Sequence, residues 1–268
     1  MATVLVRGTG DVGSAVAHCL FSAGYAVVMH DGPEPTATRR KMAFADAVFD
    51  GQAALEGVTA VRLNNLDDLI GTVATSEVVP VVLADIAPLL EILRPDVLVD
   101  ARMRKRVSPE VQIGLAKLTI GLGPNFVAGK TADLAVETGW GDDLGKVYER
   151  GATRPLEGEP NPIGGHARDR YVYAPVAGIF NTRMEIGESV RHGQTVASVG
   201  SAILAAPLDG VLRGLTRDGV RVSVGTKVIE VDPRGTGAVF VGIGERPRRI
   251  AEGVLRAVRN WEVAGGGR

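Results

Sequence analysis

The chain has one cysteine, Cys19, among 268 residues. That excludes an intrachain disulfide and any metal or iron–sulfur centre built from several thiolates, and it points to a reducing compartment. The formal net charge of −1 leaves no overall field to gather nucleic acid or an anionic membrane surface. No apolar run approaches the ~18 residues of a membrane span, and no basic-then-apolar leader opens the chain. The expectation is a cytoplasmic protein with neither nucleic acid nor membrane as partner. His18, His30, His166 and His192 lack the close spacing of ligands, so no metal site is expected. A G-x-S-x-G elbow is missing, and Cys19 falls on a helix stripe rather than beside a base. Aromatic residues are only 4% of the chain, whereas glycines number 35, a composition of tight turns and small-residue packing.

What is present begins with a strand, a glycine turn and a helix. Residues 3–7 (TVLVR) are apolar and β-branched and stop at Gly8, after which Val12, Ala15, Val16, Cys19 and Leu20 recur at helical spacing. Residues 25–30 (YAVVMH) form a second strand ending at Asp31, which closes a βαβ unit. Further strand-like runs at 58–63, 78–85, 96–101, 118–122 and 133–138 alternate with helical or polar segments, predicting a parallel sheet covered on both faces.

The texture changes after residue 150, where 153–165 (TRPLEGEPNPIGG) reads as a linker. Beyond it lies an internal repeat. Advancing by 32 positions brings Pro175 onto Pro207, Gly178 onto Gly210, Gly187 onto Gly219, Val190 onto Val222, Gly193 onto Gly225 and Val196 onto Val228. The pattern resembles the biotinyl/lipoyl-type barrel-sandwich hybrid. The connection 199–205 (VGSAILA) has no lysine, so no primary amine is offered for covalent biotin or lipoate. In the tail, Ile250, Val254, Leu255, Val258 and Trp261 stand at helical spacing. The predicted organisation is a Rossmann-like parallel-sheet domain over 1–152, a barrel-sandwich hybrid β domain over 166–235, and a C-terminal helix over 244–262 packing on the first domain.

Gly8, Gly10 and Gly13, with Asp11 and Val12 between them and Asp31 at the next strand end, are the candidate dinucleotide loop. Glycines there allow a tight turn, approach of a pyrophosphate to the backbone and close helix packing, while the helix N-terminus offers N–H donors and positive dipole charge. Asp31 is placed to accept from a ribose diol. Asp11 adds a negative charge that opposes a phosphate unless it turns outward. Arg102 and Lys105 follow a buried strand and emerge at the sheet's carboxyl edge as anion contacts, with an ordinary basic loop as the competing reading. Gly121, Gly123 and Asn125 form a second glycine-rich turn able to make an anion nest, with Lys130 nearby. The run Arg39, Arg40, Lys41 is read either as a phosphate contact or, preferentially, as a solvated helix face. Glu137 and the Asp142–Asp143 pair have the chemistry for metal or proton transfer but fit a polar turn better.

The order of "VRGTGDVGSAVAHCLFSAGYAVVMHD", "VDARMRK", "GLGPNFVAG", "AVETGWG", the β repeat and "IAEGVL" resembles the selenium-dependent molybdenum hydroxylase accessory family, or YqeB family, related to xanthine dehydrogenase accessory proteins. The resemblance spans nearly the whole chain. It implies an accessory protein for a molybdenum hydroxylase client, binding a dinucleotide such as molybdopterin cytosine dinucleotide or NAD(P) for cofactor handling or insertion. In that family Arg-Gly-His follows the Glu-Thr that stands here at Glu137 and Thr138, whereas this chain has Trp140-Gly141-Asp142, so no role of that histidine carries over. An NAD(P)-dependent oxidoreductase and a non-catalytic assembly scaffold stay open as alternatives, as does a homo-oligomer; a non-catalytic accessory protein is favoured over an enzyme.

Overall fold

The structure, a computed structural model, describes residues 2–104, 107–156 and 160–266. The chain divides into two units. Unit 1 comprises Met1–Pro33, Ala43–Glu157 and Ile243–Arg268, and unit 2 comprises Glu34–Met42 and Gly158–Gly242.

Unit 1 contains β1 (Thr3–Arg7), α1 (Asp11–Ser22), β2 (Ala26–His30), α2 (Ala47–Asp50), β3 (Gln52–Leu55), β4 (Val58–Arg62), α3 (Leu69–Thr75), β5 (Val79–Val82), α4 (Ile86–Leu93), β6 (Val97–Asp100) and β7 (Leu118–Leu122). The short strands β8 (Val127–Ala128), β9 (Leu134–Val136), β10 (Val147–Tyr148) and β11 (Gly151–Ala152) follow. Nine of them form one sheet in the order β10-β9-β7-β6-β1-β2-β5-β4-β3, while β8 pairs with β11 separately. Successive side chains of a strand point to opposite faces. Val4 and Val6 therefore enter one apolar cluster and Leu5 the other; Val97 and Val99 part from Leu98 in the same way. Helices α3 and α4 supply Leu69, Leu89 and Leu93 to the second face.

The first face is covered by α1 and by α5 (Glu245–Val263). Ile250, Val254 and Val258 of α5 share one cluster with Val12, Ala15 and Val16 of α1, the apolar stripe expected of a helix laid on a core. Backbone contact is close where α5 passes the 141–146 turn: a Cβ on Gly253 would stand 2.2 Å from the Gly145 carbonyl oxygen.

Unit 2 holds β12 (Tyr171–Tyr173), β13 (Gly178–Thr182), β14 (Ser189–Val190), β15 (Thr195–Val199), β16 (Ala202–Ala205), β17 (Gly210–Leu215), β18 (Arg221–Val222) and β19 (Lys227–Asp232). They form two four-stranded antiparallel sheets, β12-β19-β17-β14 and β16-β15-β13-β18. The repeat seen in the sequence is a repeat of turns. Gly187 and Gly219 have φ +102 and +82, and Gly193 and Gly225 have +78 and +77, a left-handed region that L side chains rarely adopt.

Charge also lies inside this unit. The fully buried Glu230 carboxylate accepts from Arg39 Nε (3.0 Å) and Nη2 (2.9 Å), Arg170 Nη1 (2.5 Å) and Lys227 Nζ (2.8 Å). Burial alone would raise its pKa, but Lys227 and Arg39 hold it well below the usual carboxylate range. The neighbours Arg40 and Lys41 donate to the carbonyls of Leu215 (2.9 Å) and Ile186 (2.6 Å). The basic run of residues 39–41 is thus an internal clamp of unit 2 rather than a solvated helix face.

The architecture corrects the sequence expectation twice. The large sheet is mixed rather than a Rossmann-like parallel sheet, because β3 and β10 pair antiparallel at its two edges. The β3–β4 pair turns on Glu56 (φ +44) and Gly57 (φ +86), the positive dihedrals of a two-residue hairpin, in an alanine-rich stretch that periodicity does not register as a strand. Unit 2 is not the biotinyl/lipoyl-type barrel-sandwich hybrid but a pair of antiparallel sheets. Glycines at a fixed spacing specify where strands reverse, and many antiparallel arrangements share such turns.

Candidate functional site at the sheet's carboxyl edge

Strand order reverses at β1: β2, β5, β4 and β3 lie to one side, and β6, β7, β9 and β10 to the other. In open α/β sheets the loops that diverge at such a point leave a crevice outside the carboxyl ends of the strands. Gly8 stands there with φ +107. A Cβ on it would lie 3.0 Å from the Ala101 carbonyl oxygen and 3.1 Å from Arg102 Cα, so the first glycine lets the loops after β1 and β6 meet.

The three glycines do different work. At Gly13 a Cβ would stand 2.0 Å from the Gly8 carbonyl oxygen, and only a hydrogen fits between helix and turn. Gly10 has φ −68 and ψ 179, open to any residue, and nothing lies within 4 Å of a Cβ placed on it. The fold does not need a glycine at position 10. Its bare backbone leaves room directly before α1, whose ladder opens with Ser14 N donating to Gly10 O (2.9 Å). The amides of the first turn precede that bond.

The loop is held rigidly. Thr9 donates through both N (2.6 Å) and Oγ1 (2.7 Å) to Asp31 Oδ2, and Gly32 N donates to Asp31 Oδ1 (2.8 Å). Ser14 Oγ donates to Thr9 O (2.9 Å) while accepting from Phe44 N (2.7 Å). Asp31, read from sequence as a ribose acceptor, is the latch of the glycine loop. Asp11 is the first residue of α1, half-buried, and its Oδ1 accepts from Val12 N (3.0 Å).

Beside Gly8 is a charged cluster of which the sequence disclosed one described member, Arg102. Arg102 donates through Nε to Asp100 Oδ1 (2.9 Å) and pairs with Glu110 at 2.9 Å. Burial works against its charge, yet the hydrogen bonds and charges of Asp100 and Glu110 raise its pKa. Arg104 Nη1 donates to Glu110 Oε1 (3.0 Å). Arg7, the last residue of β1 and 8% exposed, faces Asp100 across the ladder and donates through Nη1 to Gln112 Oε1 (3.0 Å). Its Nε is buried without a hydrogen-bond partner; burial, with Arg102 beside it, lowers its pKa. Lys105 lies outside the described residues.

The imidazole of His30 at the end of β2 is also poised at this edge. Its Nε2 stands 2.9 Å from the Ala84 carbonyl oxygen and therefore carries the proton there, leaving Nδ1 a buried acceptor without a partner. Burial, with Arg7 also contributing, lowers its pKa, so it is neutral at physiological pH. The second glycine turn joins through Gly123 (φ +95), where a Cβ would lie 3.3 Å from Met103 Cε. Gly121 serves packing, since a Cβ there would enter the Phe126 ring at 2.0 Å. Asn125 is exposed, and its Nδ2 lies 3.4 Å from the Val107 carbonyl oxygen. Glu137 is a buried structural acceptor for the amides of Thr138 (2.8 Å), Gly139 (2.7 Å) and Arg154 (2.7 Å), and Asp143 pairs with Lys146 and Arg154.

The structure brings Gly8, Gly10, Gly13, Asp31 and Arg102 to one edge, together with Arg7, His30 and Glu110, which sequence reasoning missed. Among the described residues no cluster of three or more potential metal ligands occurs, and no helix is long and apolar enough to cross a membrane. The chemistry on offer is recognition of an anion next to a polar, rigid turn.

These features define an α/β protein with an anion-capable edge. Over 255 residues the chain is 38% identical to "Uncharacterized protein YqeB" of Escherichia coli K12, in an alignment covering 95% of this chain and 47% of the relative. It belongs to the YqeB family, and it spans about half the length of the curated relative it matches. No protein-family model matches the chain. A succinylglutamate desuccinylase/aspartoacylase from Rhodobacter sphaeroides aligns over 24% of this chain and 21% of that one, with 34% identity and a TM-score of 0.20. An aspartoacylase family protein from Mesorhizobium loti aligns over 86% and 84%, with 11% identity and a TM-score of 0.26. Scores of this size imply neither a shared fold nor a shared chemistry.

Proposed function

We propose that the chain is an accessory protein in the maturation of a molybdenum hydroxylase, docking a dinucleotide such as molybdopterin cytosine dinucleotide at the glycine loop for handling or insertion. The observation that carries the docking is Gly10: a backbone that any residue could adopt, with open space where a side chain would stand, at the N-terminus of a 12-residue helix. A pyrophosphate seated there meets first-turn amides and the positive end of the helix dipole. Arg102 supplies a cation on the β6 side and Asp31 a carboxylate on the β2 side for a ribose. The accessory role leans on the sequence resemblance and on membership of the YqeB family; the client hydroxylase is the partner it implies.

Titration of the purified protein with a cytidine dinucleotide, NADH and NADPH tests the docking, and Gly10→Val is expected to weaken the cytidine ligand at least about tenfold by filling the phosphate seat. Addition of the loaded protein to apo-hydroxylase is expected to raise its activity above that obtained with free cofactor. Preferential NAD(P)H binding with substrate-dependent loss of absorbance would replace this reading with an oxidoreductase, and no nucleotide binding would leave a scaffold.

A further inference from the structure

We infer that Arg7, Arg102 and Arg104 form a second oxyanion subsite at the carboxyl edge of β1 and β6, built for a phosphate or pyrophosphate group, which Glu110 occupies as an internal substitute. The subsite is adjacent to the glycine loop, since Arg102 Cα lies 3.1 Å from the Cβ position of Gly8. The inference relies on the nucleotide-docking reading only for the source of the phosphate.

Three observations support it. The Glu110 carboxylate presents its two oxygens to two guanidiniums, Arg104 through Nη1 and Nη2 and Arg102 through Nη2, the two-pronged arrangement with which arginines hold phosphate as readily as carboxylate. Arg7 is 8% exposed and has a buried Nε without a partner, so a donor is left over after its Nη1 has served Gln112. Buried donors of this kind are costly unless a further acceptor arrives.

Glu110 is also the most easily displaced member. Its side chain is 56% exposed, whereas Asp100, the other acid, is 2% exposed. Among the described residues its segment carries no helix or strand, and Val107 and Val111 are left at 55% and 62% exposure. The buried Gln112 pins that segment, its N donating to Thr131 O (2.7 Å) and its Nε2 to Glu110 O (3.0 Å). Rotation of the Glu110 side chain empties the subsite while its backbone stays in place. The hydrogen bond from Arg104 and the charge of Arg102 lower the Glu110 carboxyl to about 2, so near neutral pH competition by another anion, not protonation, removes it.

The test is calorimetric titration of the full chain with inorganic pyrophosphate and with cytidine diphosphate, for the wild type, Glu110→Gln, Arg104→Gln and Gly10→Val, each checked for native circular dichroism. Pyrophosphate is expected to bind Glu110→Gln at least about tenfold more tightly than wild type, the weight of one charge-assisted hydrogen bond, and Arg104→Gln more weakly. Unchanged or weaker binding in Glu110→Gln overturns the inference. Cytidine diphosphate binding that is tighter than pyrophosphate and lost in Gly10→Val assigns the phosphate to a nucleotide; equal affinities that ignore Gly10→Val assign it to the free anion, in which case the subsite stands and the docking reading falls. The reverse pattern, loss in Gly10→Val with no response in Glu110→Gln, retains the docking and removes the subsite.

Discussion

Gly10 and Gly13 occupy one turn, yet an added methyl group has opposite consequences at the two. At Gly13 it collides with the Gly8 carbonyl at 2.0 Å, and Gly13→Ala is expected to cost about 1–3 kcal/mol by overpacking, read as a fall in urea midpoint at constant m value. At Gly10 the methyl enters open space with an unstrained backbone, so Gly10→Ala is expected to leave stability within about 0.5 kcal/mol. The glycine pattern itself was plain in the sequence; which of its members serves packing and which leaves room was not, because that depends on where the 101–102 loop passes. Arg7 and Glu110 were invisible for a related reason. Arg7 meets Gln112 across 105 positions, and no local period records a partnership of that span. In unit 2, Glu230→Ala is expected to cost about 3–5 kcal/mol, because the buried Arg170 and the partly buried Arg39 and Lys227 lose the carboxylate that offsets them.

At the scale of elements, α5 shows what periodicity reveals and what it omits. Ile250, Val254 and Val258 announce an amphipathic helix, and these residues do line its buried face. Gly253 reads only as a weak helix former, yet it is the point at which the helix backbone passes the Gly145 carbonyl. Gly253→Val is expected to lift α5 from the sheet, lowering the thermal midpoint by several degrees and raising proteolytic cleavage within 245–263. The strands β1, β2 and β7 were legible from β-branched, continuously apolar runs. Strand β3, with the sequence QAAL, was not, since alanine has little strand preference and the hairpin signal rests on Glu56 in an unusual dihedral region.

For the molecule as a whole, acid acts on the two units at different pH. His30 in unit 1 has a pKa below its ordinary 6.5, so its contribution to stability is complete above 6.5 and is lost as pH falls through the lowered value. Glu230 in unit 2 is held well below 4.5; its contribution is complete above that value and is lost on further acidification. Trp140 and Trp261 both belong to unit 1. Tryptophan fluorescence is therefore expected to show a urea midpoint that falls as pH drops below 6.5, a step that His30→Gln flattens. Resistance of the 171–232 strands to proteolysis is expected to hold until below about pH 4.5. The change of texture near residue 150 marked one passage of the chain between units. The earlier excursion of Glu34–Met42 was hidden, because a basic run destined for a buried carboxylate has the same composition as one facing water.

That excursion governs how the gene can be cut. The polypeptide leaves unit 1 after Pro33, returns at Ala43, leaves again after Glu157 and returns at Ile243, so no single scission yields two intact halves. A stop codon after residue 157 would strip the large sheet of its covering helix and leave the 39–41 run without Glu230 and the carbonyls of Leu215 and Ile186 that it holds.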